Sequence, residues 1–384
     1  MDWARVDVVG LTQALVSAPG ESGDEKAAAD VAIIAMEVLG FREIVRDAYG
    51  SVVGLLGPAN ADVALLLDGH LDVVPVTADW TVDPFGGEIT GGRLYGRGST
   101  DMKGAVAAAI CGAALAADAG TLSRQVAVSA SVMEEILEGV ALAKILDEHN
   151  PEAVVICEPS RLEIMTAQRG RLELVLTLRG VPAHASSPDL GKNPIGMAAY
   201  VLELLKQIRF RNDPVLGTGV LVPVSIVSDP LPSPSMIPAT VTINFDRRTV
   251  PGETRESVFQ EIRTLLVENG INDFTLECHA APVTTYTGVG LCPDRDFPSW
   301  AIPTEHPIVV AGLSALKASG LPEKVGVWNC CTNGSESAGR RKIPTIGVGP
   351  GDIRDAHIVD ESIEISQLTK AVDVYKNIVL ALCE

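Results

Sequence analysis

The sequence predicts an α/β protein in which a mostly parallel sheet is flanked by helices and interrupted by an inserted domain. Up to about residue 168, short apolar runs alternate with helical patterns. A compact segment with a different rhythm follows, and the first rhythm then resumes toward the C-terminus. Strands that alternate with helices are typical of a parallel sheet with helices on both faces.

The elements of the first part follow one another in the order expected of that architecture. In chain order we predict a strand at 63–67, a helix at 105–119, a strand at 126–132, a helix at 139–149 and a strand at 153–157. The helix at 105–119 is rich in alanine and contains glycine, so we interpret it as a buried helix rather than a membrane span.

The middle of the chain has the pattern of a separate domain. Leucines at every second position from Leu172 to Leu178 indicate a strand with one buried face. The elements that follow are a helix near 195–205, strands at 219–227 and 241–245, a helix at 258–266 and a strand at 274–278. The resulting order, βαββαβ, predicts a ferredoxin-like domain of about 110 residues.

A helix at 308–318 and a strand at 345–348 then restore the first rhythm. We therefore expect residues 1–168 and 285–384 to form one domain, into which residues 169–284 are inserted. With 384 residues, of which 47% are hydrophobic, the chain is large enough for two cores.

Charge and cysteine content narrow the classes of partner and compartment. The formal net charge of −19 argues against nucleic acid or an anionic membrane as a partner, because both bind basic surfaces. The seven cysteines form no CxxC pair, which favours a reducing compartment over a disulfide framework. The start, Met1-Asp2-Trp3-Ala4-Arg5, lacks the pattern of a signal peptide. We therefore expect a cytoplasmic protein.

The motif Gly69-His70-Leu71-Asp72 follows an apolar strand and is the most informative feature of the chain. An imidazole and a carboxylate two residues apart suit a metal ligand and the group that orients it. Five more acids or histidines follow predicted strands or lie at the same edge of the sheet, namely Asp101, Glu134, Glu135, Glu158 and His357. Each one alone has an ordinary explanation, such as a helix N-cap or a solvated loop residue.

The common position of these side chains points to a site. Loops at the carboxyl ends of parallel strands converge on one crevice, where ligands bind. Two histidines and three carboxylates form a nitrogen and oxygen ligand set suited to zinc, with manganese or cobalt as possible substitutes. Five ligands exceed the number that one tetrahedral ion with an open position takes, so we expect two ions that share a carboxylate. One acid then remains as the general base for a bridging water.

Six motifs occur in order along nearly the whole chain: GHLDVVP, YGRGSTDMKG, MEE at 133–135, CEPS, GVPAHASSP and DAHIVDE. As an ordered set they are highly specific. Through them the chain resembles the dinuclear zinc aminoacylase and carboxypeptidase family, which includes acetylornithine deacetylase, succinyl-diaminopimelate desuccinylase and the glutamate carboxypeptidases. Within this family the chain looks closest to a less characterised branch of peptidases and deacylases, through the stretches 168–171, 298–300, 328–333 and 347–351.

The resemblance implies a zinc-peptidase-like fold and a role for each ligand. His70 and Glu158 would bind one zinc ion. Glu135 and His357 would bind the second ion, and Asp101 would bridge the two.

The resemblance also implies the groups that act beside the ions. Asp72 would orient His70, and Glu134 would be the general acid/base that carries a proton from the bridging water to the leaving amine. The insert would be a lid that forms a homodimer through its sheet edge. From this lid, His184 would stabilise the oxyanion in the partner subunit's site.

Three positions are candidates for substrate binding. Arg247 matches a family position that binds the substrate carboxylate, although it could equally pair with a local acid. Ser235 stands where many relatives carry an asparagine that contacts substrate. Asn333 lies in Thr332-Asn333-Gly334-Ser335, which replaces the more usual Thr-Asp-Gly turn in the pocket wall.

These observations predict a metal-dependent hydrolase that cleaves an amide bond of an N-acyl amino acid or short peptide by attack of a metal-bridging water. A carboxypeptidase, a dipeptidase or an N-carbamoyl hydrolase would use the same ligands. A non-catalytic protein that binds an amino-acid derivative is an alternative from another class. A nucleotide-binding oxidoreductase is disfavoured, because no GxGxxG follows the first strand.

Overall fold

The computed structural model describes residues 7–77, 79–232 and 234–384, and these form two compact units. The N-terminal residues 1–5, on which the expected cytoplasmic location partly rests, lie outside the described residues. The large unit comprises Met1–Gln168, Pro282–Leu291 and Ala301–Glu384, and the insert comprises Arg169–Ala281 and Cys292–Trp300. The chain thus enters the insert a second time, at residue 292. The expected insert, which ended at residue 284, does not include this second segment.

The helices and strands are labelled in chain order. The helices are α1 Val8–Val16, α2 Lys26–Val38, α3 Gly104–Asp118, α4 Val140–His149, α5 Pro194–Leu205, α6 Arg255–Glu268, α7 Pro307–Ala318 and α8 Ile365–Cys383. The strands are β1 Arg42–Arg46, β2 Val52–Leu56, β3 Val63–His70, β4 Ile89–Thr90, β5 Arg93–Tyr95, β6 Gln125–Ser131, β7 Ala153–Ile156, β8 Ile164–Gln168, β9 Gly170–Arg179, β10 Asn212–Asp213, β11 Gly217–Thr218, β12 Val220–Asp229, β13 Thr240–Thr249, β14 Phe274–Cys278, β15 Val283–Thr284, β16 Gly290–Leu291, β17 Asp296–Phe297, β18 Trp300–Ala301, β19 Val325–Trp328, β20 Thr345–Gly347 and β21 Ser362–Glu364.

The main sheet of the large unit has the order β1-β2-β6-β3-β7-β20-β8, and β19 pairs with β8. Its centre, β6-β3-β7-β20, is parallel. The pairs β1–β2, β2–β6 and β20–β8 are antiparallel. The predicted α/β class is therefore confirmed, with antiparallel strands flanking a parallel centre.

Burial explains why the central strands read as continuous apolar runs. Every residue of β2, β3 and β6 is buried, as expected for strands that are covered on both faces. The segment Ser99–Asp118, which ends with α3, is long and apolar enough to cross a membrane, yet 89% of its apolar window is buried inside the protein. A Cβ atom at Gly112 would lie 2.8 Å from the Tyr375 side chain, so α3 packs closely on α8. The prediction of a buried helix is confirmed.

The insert has the predicted order βαββαβ in β9, α5, β12, β13, α6 and β14. Its sheet is antiparallel with the order β12-β13-β9-β14. Leucines Leu172 to Leu178 of β9 face a core that α5 and α6 complete. β17 also pairs with β9, which explains why residues 292–300 belong to this unit.

The parallel centre of the large unit places several chain segments at one edge of the sheet. β3 ends at His70, three residues later than predicted, so His70 is itself the last residue of the strand. β6 and β7 end at Ser131 and Ile156, just before the predicted site acids. Because parallel strands have their carboxyl ends at the same edge, these side chains are brought together.

Candidate metal centre

Four segments of the large unit contribute to the centre besides His70. Residues 132–138, which we call the acid loop, connect β6 to α4 and carry Glu134 and Glu135. Glu158 follows β7, and Asp101 lies in the kinked turn Ser99–Lys103 that leads into α3, where the backbone of Asp101 itself is not helical. His357 follows the short 3₁₀ turn Ile353–Asp355.

Asp101 lies between the two histidines. Its Oδ1 is 3.2 Å from His70 Nε2, and its Oδ2 is 3.1 Å from His357 Nε2. His70 Nε2 is also 3.5 Å from Glu158 Oε1, and His357 Nε2 is 3.1 Å from Glu135 Oε1. Each oxygen of one carboxylate thus faces a different histidine, and each histidine faces one further carboxylate.

These distances suit ligand atoms that share an ion. Nitrogen and oxygen atoms bound to tetrahedral zinc at about 2.1 Å lie roughly 3.4 Å from one another. The contacts around Asp101 span 3.1 to 3.5 Å. Glu134 Oε2 lies farther from His70 Nε2, at 3.8 Å. The residues therefore fit two metal ions, with Glu134 beside the ligand set.

Asp72 acts differently from the prediction. His70 Nδ1 donates to the backbone carbonyl of Asp72 at 2.9 Å, whereas the Asp72 carboxylate is 3.5 Å from that nitrogen. The carboxylate instead accepts from the backbone N–H groups of Glu134 and Glu135, each at 3.0 Å. Asp72 thus orients the histidine mainly through its main chain and holds the acid loop through its side chain.

Two buried acids outside the predicted set support the site. Glu25 accepts from the backbone N–H of Met133 in the acid loop at 3.0 Å. Glu361 accepts from the N–H groups of Thr100 and Asp101 at 2.9 and 3.1 Å. Because Glu361 lies inside the motif DAHIVDE, the sequence could have indicated that it belongs to the site. Nothing in the sequence around Glu25 indicated a role in the site.

Burial and mutual charge shift the pKa values of the cluster. Burial, opposed by His70 and reinforced by Glu158, raises the pKa of the Glu134 carboxyl well above its ordinary value. Burial and the charge of Asp101 raise the pKa of Glu158 to about 8. Hydrogen bonds to Asp101 and Glu135 raise the pKa of His357 to about 10. The cluster therefore favours added positive charge, as a metal site requires.

Glu134 has a carboxylate oxygen without a hydrogen-bond partner among the described residues. Its Oε1 is buried and has no hydrogen-bond partner among the described residues. A buried carboxylate oxygen without a partner is costly in a folded protein and usually has a functional reason. This oxygen is available to a reacting group.

His184 and Ser235 lie together in the insert. Ala185 N donates to Ser235 O at 2.9 Å, and His184 forms an isolated β-bridge with Met236. The His184 ring is exposed, and its Nδ1 accepts from the backbone N–H of Ser186 at 3.1 Å. In the neutral imidazole the proton therefore lies on Nε2, which makes this nitrogen a donor.

Arg247 does not occupy a substrate-binding position in this structure. Its side chain is fully buried in the insert, forms a short ion pair with Glu253 and donates to Arg248 O at 2.7 Å. The guanidinium also stacks on Phe210, with 4.2 Å to the ring centroid. The local pairing that the sequence left open explains this arginine, because β13 turns position 247 toward the core of the insert.

Asn333 is also buried. Only 3% of the residue is exposed. Its amide contacts Asp68, Ser131 and the N–H of Gly139, so its hydrogen-bonding groups are already engaged inside the large unit. The prediction that Asn333 contacts substrate is not supported by this geometry.

Comparisons with known proteins identify the family of this chain. The family model "Peptidase family M20/M25/M40" matches residues 66–381. An uncharacterised Escherichia coli (strain K12) protein, YgeY, is 30% identical over 385 residues, which cover 98% of this chain and 94% of that protein. The succinyl-diaminopimelate desuccinylase of Cereibacter sphaeroides (strain ATCC 17025) is 28% identical over 399 residues, covering 97% of this chain and 98% of that enzyme.

Solved structures share the fold. The Bacillus subtilis YXEP protein, a dinuclear metal binding peptidase from the M20 family, superimposes with a TM-score of 0.72 at 14% identity and covers 98% of this chain and 97% of its own. The resemblance drawn from the six motifs is confirmed. The chain belongs to peptidase family M20/M25/M40 and is a metallohydrolase of that family.

Proposed function

We propose that the protein uses two metal ions to hydrolyse the amide bond of an N-acyl amino acid or short peptide. The observation that carries this proposal is the placement of Asp101, whose two oxygens face His70 and His357 at 3.2 and 3.1 Å. A carboxylate between two histidines, each with its own further acid, is the arrangement that a dinuclear site needs.

The ligand roles follow from the contacts. His70 and Glu158 would hold one ion, His357 and Glu135 the other, and Asp101 would contact both. The nitrogen and oxygen donors suit zinc, with manganese or cobalt as alternatives. Ions bound there supply Lewis acidity and a water with a pKa near neutrality.

Glu134 is the residue we assign to proton transfer. Its Oε1 has no partner among the described residues, and burial raises its pKa well above the ordinary value. A carboxyl group with a raised pKa can accept a proton from water and return it near neutral pH. Glu134 would deliver that proton to the leaving amine nitrogen.

His184 is the residue we assign to oxyanion stabilisation. Because Nδ1 accepts from Ser186 N, the neutral ring carries a donor at Nε2. A donor aimed at the developing oxyanion typically contributes about 100- to 1000-fold to kcat. Ser235 lies beside it and is the remaining candidate for contact with substrate.

The insert also offers a surface for a second copy of the chain. β12 pairs with β13 along one side, and no other strand of the described residues pairs with it. Val222, Val224 and Ile226 on this strand are 46%, 62% and 53% exposed. Because an exposed apolar edge strand invites pairing, we propose a homodimer through β12, in which the insert acts as a lid. A cytoplasmic location remains part of this proposal.

The relatives of this chain differ in the type of bond that they cleave. One sequence relative is a desuccinylase and one structural neighbour is a peptidase, and the same ligands could serve deacylation, dipeptide cleavage or N-carbamoyl hydrolysis. A panel of N-acetyl, N-succinyl and N-carbamoyl amino acids and dipeptides separates these reactions. We expect cleavage of one class, its loss on chelation and its return with zinc, manganese or cobalt.

The variant Glu134→Gln tests the same proposal at one residue. It keeps the size of the side chain but cannot carry the proton, so we expect kcat to fall by about 10²- to 10⁴-fold with metal content unchanged. Metal analysis and steady-state kinetics measure both quantities. Glu148→Gln, on the exposed side of α4, is the matched control. Near wild-type turnover of Glu134→Gln would exclude Glu134 as the base.

A further inference from the structure

The acid loop must be held at both ends to place Glu134 and Glu135 against the metal ligands. Asp72 and Glu25 hold the N–H groups of residues 133–135 near its beginning. The loop is followed by Gly139, the N-cap residue of α4, which has a left-handed φ of 81°. Its backbone N–H needs an acceptor, because N–H groups at the start of a helix have no partner within the helix.

Asn333 provides that acceptor and ties both ends of the loop together. Its Oδ1 accepts from Gly139 N at 2.6 Å. Its Nδ2 donates to Ser131 Oγ at 3.2 Å, at the end of β6, and to Asp68 Oδ2 at 2.8 Å. One buried amide thus contacts the residue before the loop and the residue after it.

Asp68 fixes this amide to the strand that carries His70. It lies on β3 two residues before the histidine and is 1% exposed. Its other oxygen, Oδ1, accepts from Ser129 Oγ on β6 at 2.6 Å. Asp68 and Asn333 therefore join β3, the end of β6 and the start of α4 through direct hydrogen bonds.

We propose that Asp68 and Asn333 form a clamp that positions the acid loop, and that Asn333 acts on the reaction through Glu134 and Glu135 rather than through substrate. The chemistry of position 333 requires one acceptor and two donors, which a side-chain amide supplies and a carboxylate does not. The proposal rests on the proposed function for its effect on turnover. The clamp itself does not depend on it.

Exchanging the two residues tests the clamp. Asn333→Asp places two buried carboxylates against each other, so the pair must either repel or take up a proton to supply the missing donor. Adding Asp68→Asn restores a donor, since the amide introduced at position 68 can donate to the new carboxylate while Gly139 N still has its acceptor. The double variant therefore keeps the number of hydrogen bonds between these two positions. Asn60→Asp, on an exposed loop of the large unit, is the control for the added charge.

We expect Asn333→Asp to lower kcat by about 10- to 100-fold, because a misplacement of about 1 Å can reduce a rate 100-fold. We expect KM to remain near the wild-type value. The double variant should recover most of kcat. A raised KM with unchanged kcat would instead identify Asn333 as a substrate contact and overturn the proposal, as would unchanged kinetics in Asn333→Asp.

Hydrogen exchange of the metal-free protein gives a readout that does not depend on activity. Asn333→Asp should speed exchange of the amides of residues 133–139, with no change in the insert, and the double variant should restore protection. If Asn333→Asp alone fails to fold, the double variant decides. A double variant that folds and is active supports the clamp. A double variant that does not fold, although Asp68→Asn alone does fold, contradicts the clamp. A wild-type protein without amide hydrolase activity would refute the proposed function alone, because exchange still tests the clamp.

Discussion

Buried carboxylates around the acid loop have different roles because their partners differ. Asp72 accepts from the N–H groups of Glu134 and Glu135 and from Ser22 Oγ at 2.7 Å, so its carboxylate holds the main chain of the acid loop. Glu134 keeps a free oxygen and can exchange a proton. The environment of each acid, rather than its type, therefore sets its chemistry.

Glu25 gives a prediction about pH and stability. Burial and the charge of Asp72 raise its pKa from 4.5 to about 7. Between these values the folded chain binds more protons at Glu25 than the unfolded chain, so this group lowers stability as pH rises. The rise of the Glu25 pKa from 4.5 to about 7 corresponds to roughly 3 kcal/mol in the free energy of unfolding. This stabilisation is present at low pH and is lost once the pH exceeds the folded-state pKa of about 7.

Glu25→Gln removes this titration and keeps an oxygen that can accept from Gly23 N and Met133 N. We therefore expect the variant to gain stability relative to wild type as pH rises from 5 to 8. Urea unfolding of the metal-free proteins measures the difference. Glu37→Gln, at an exposed position of the neighbouring α2, should show no such trend. A difference that stays constant with pH would contradict the role of burial at Glu25.

At the level of elements, strand β12 is an edge strand of the insert's sheet, and among the described residues it pairs with β13 alone. Its neighbour β13 alternates buried and half-buried residues along its whole length, whereas most of β12 is exposed. Exposed valines on an edge strand are a liability unless another surface covers them. A second copy of the same strand, paired across a two-fold axis, is the occupant we propose.

A charge on this edge should prevent the proposed dimer from forming. We expect Val224→Asp combined with Ile226→Asp to give a monomer, because both side chains would place a carboxylate in an apolar interface. Sedimentation or light scattering measures the mass in solution. Val215→Asp changes another exposed valine of the insert outside β12 and should leave the mass unchanged. A wild-type monomer, or a dimer that survives both charges, would refute the proposed interface.

At the level of the whole molecule, the five proposed metal ligands all belong to the large unit, namely His70, Asp101, Glu135, Glu158 and His357. A ligand that binds only the folded state stabilises it by about 2.7 kcal/mol when present at 100 times its dissociation constant. We therefore expect added zinc to slow hydrogen exchange in β3, β6 and the acid loop, while the core of the insert exchanges as before. Equal protection of both units would indicate that their stabilities are coupled.

The periodic and apolar segments were predictable, and several other elements were not. The strands around 63–67, 126–132 and 153–157 were found because long buried runs admit few interpretations. Helices α1, α2 and α8 were not assigned. Arg247 and Asn333 were predicted to contact substrate, whereas the structure buries both side chains with partners of their own, because a motif position does not reveal which way a side chain points.

The sequence by itself determined the α/β class, the ferredoxin-like insert, the family and the set of acids and histidines at one edge of the sheet. These depend on local periodicity and on motif order, both of which are written along the chain. Only the tertiary structure decided that Asp101 lies between two histidines, that Asp72 holds the acid loop, and that Asn333 meets Asp68. These contacts join residues that are distant in sequence, and the packing that forms them is a property of the folded chain as a whole.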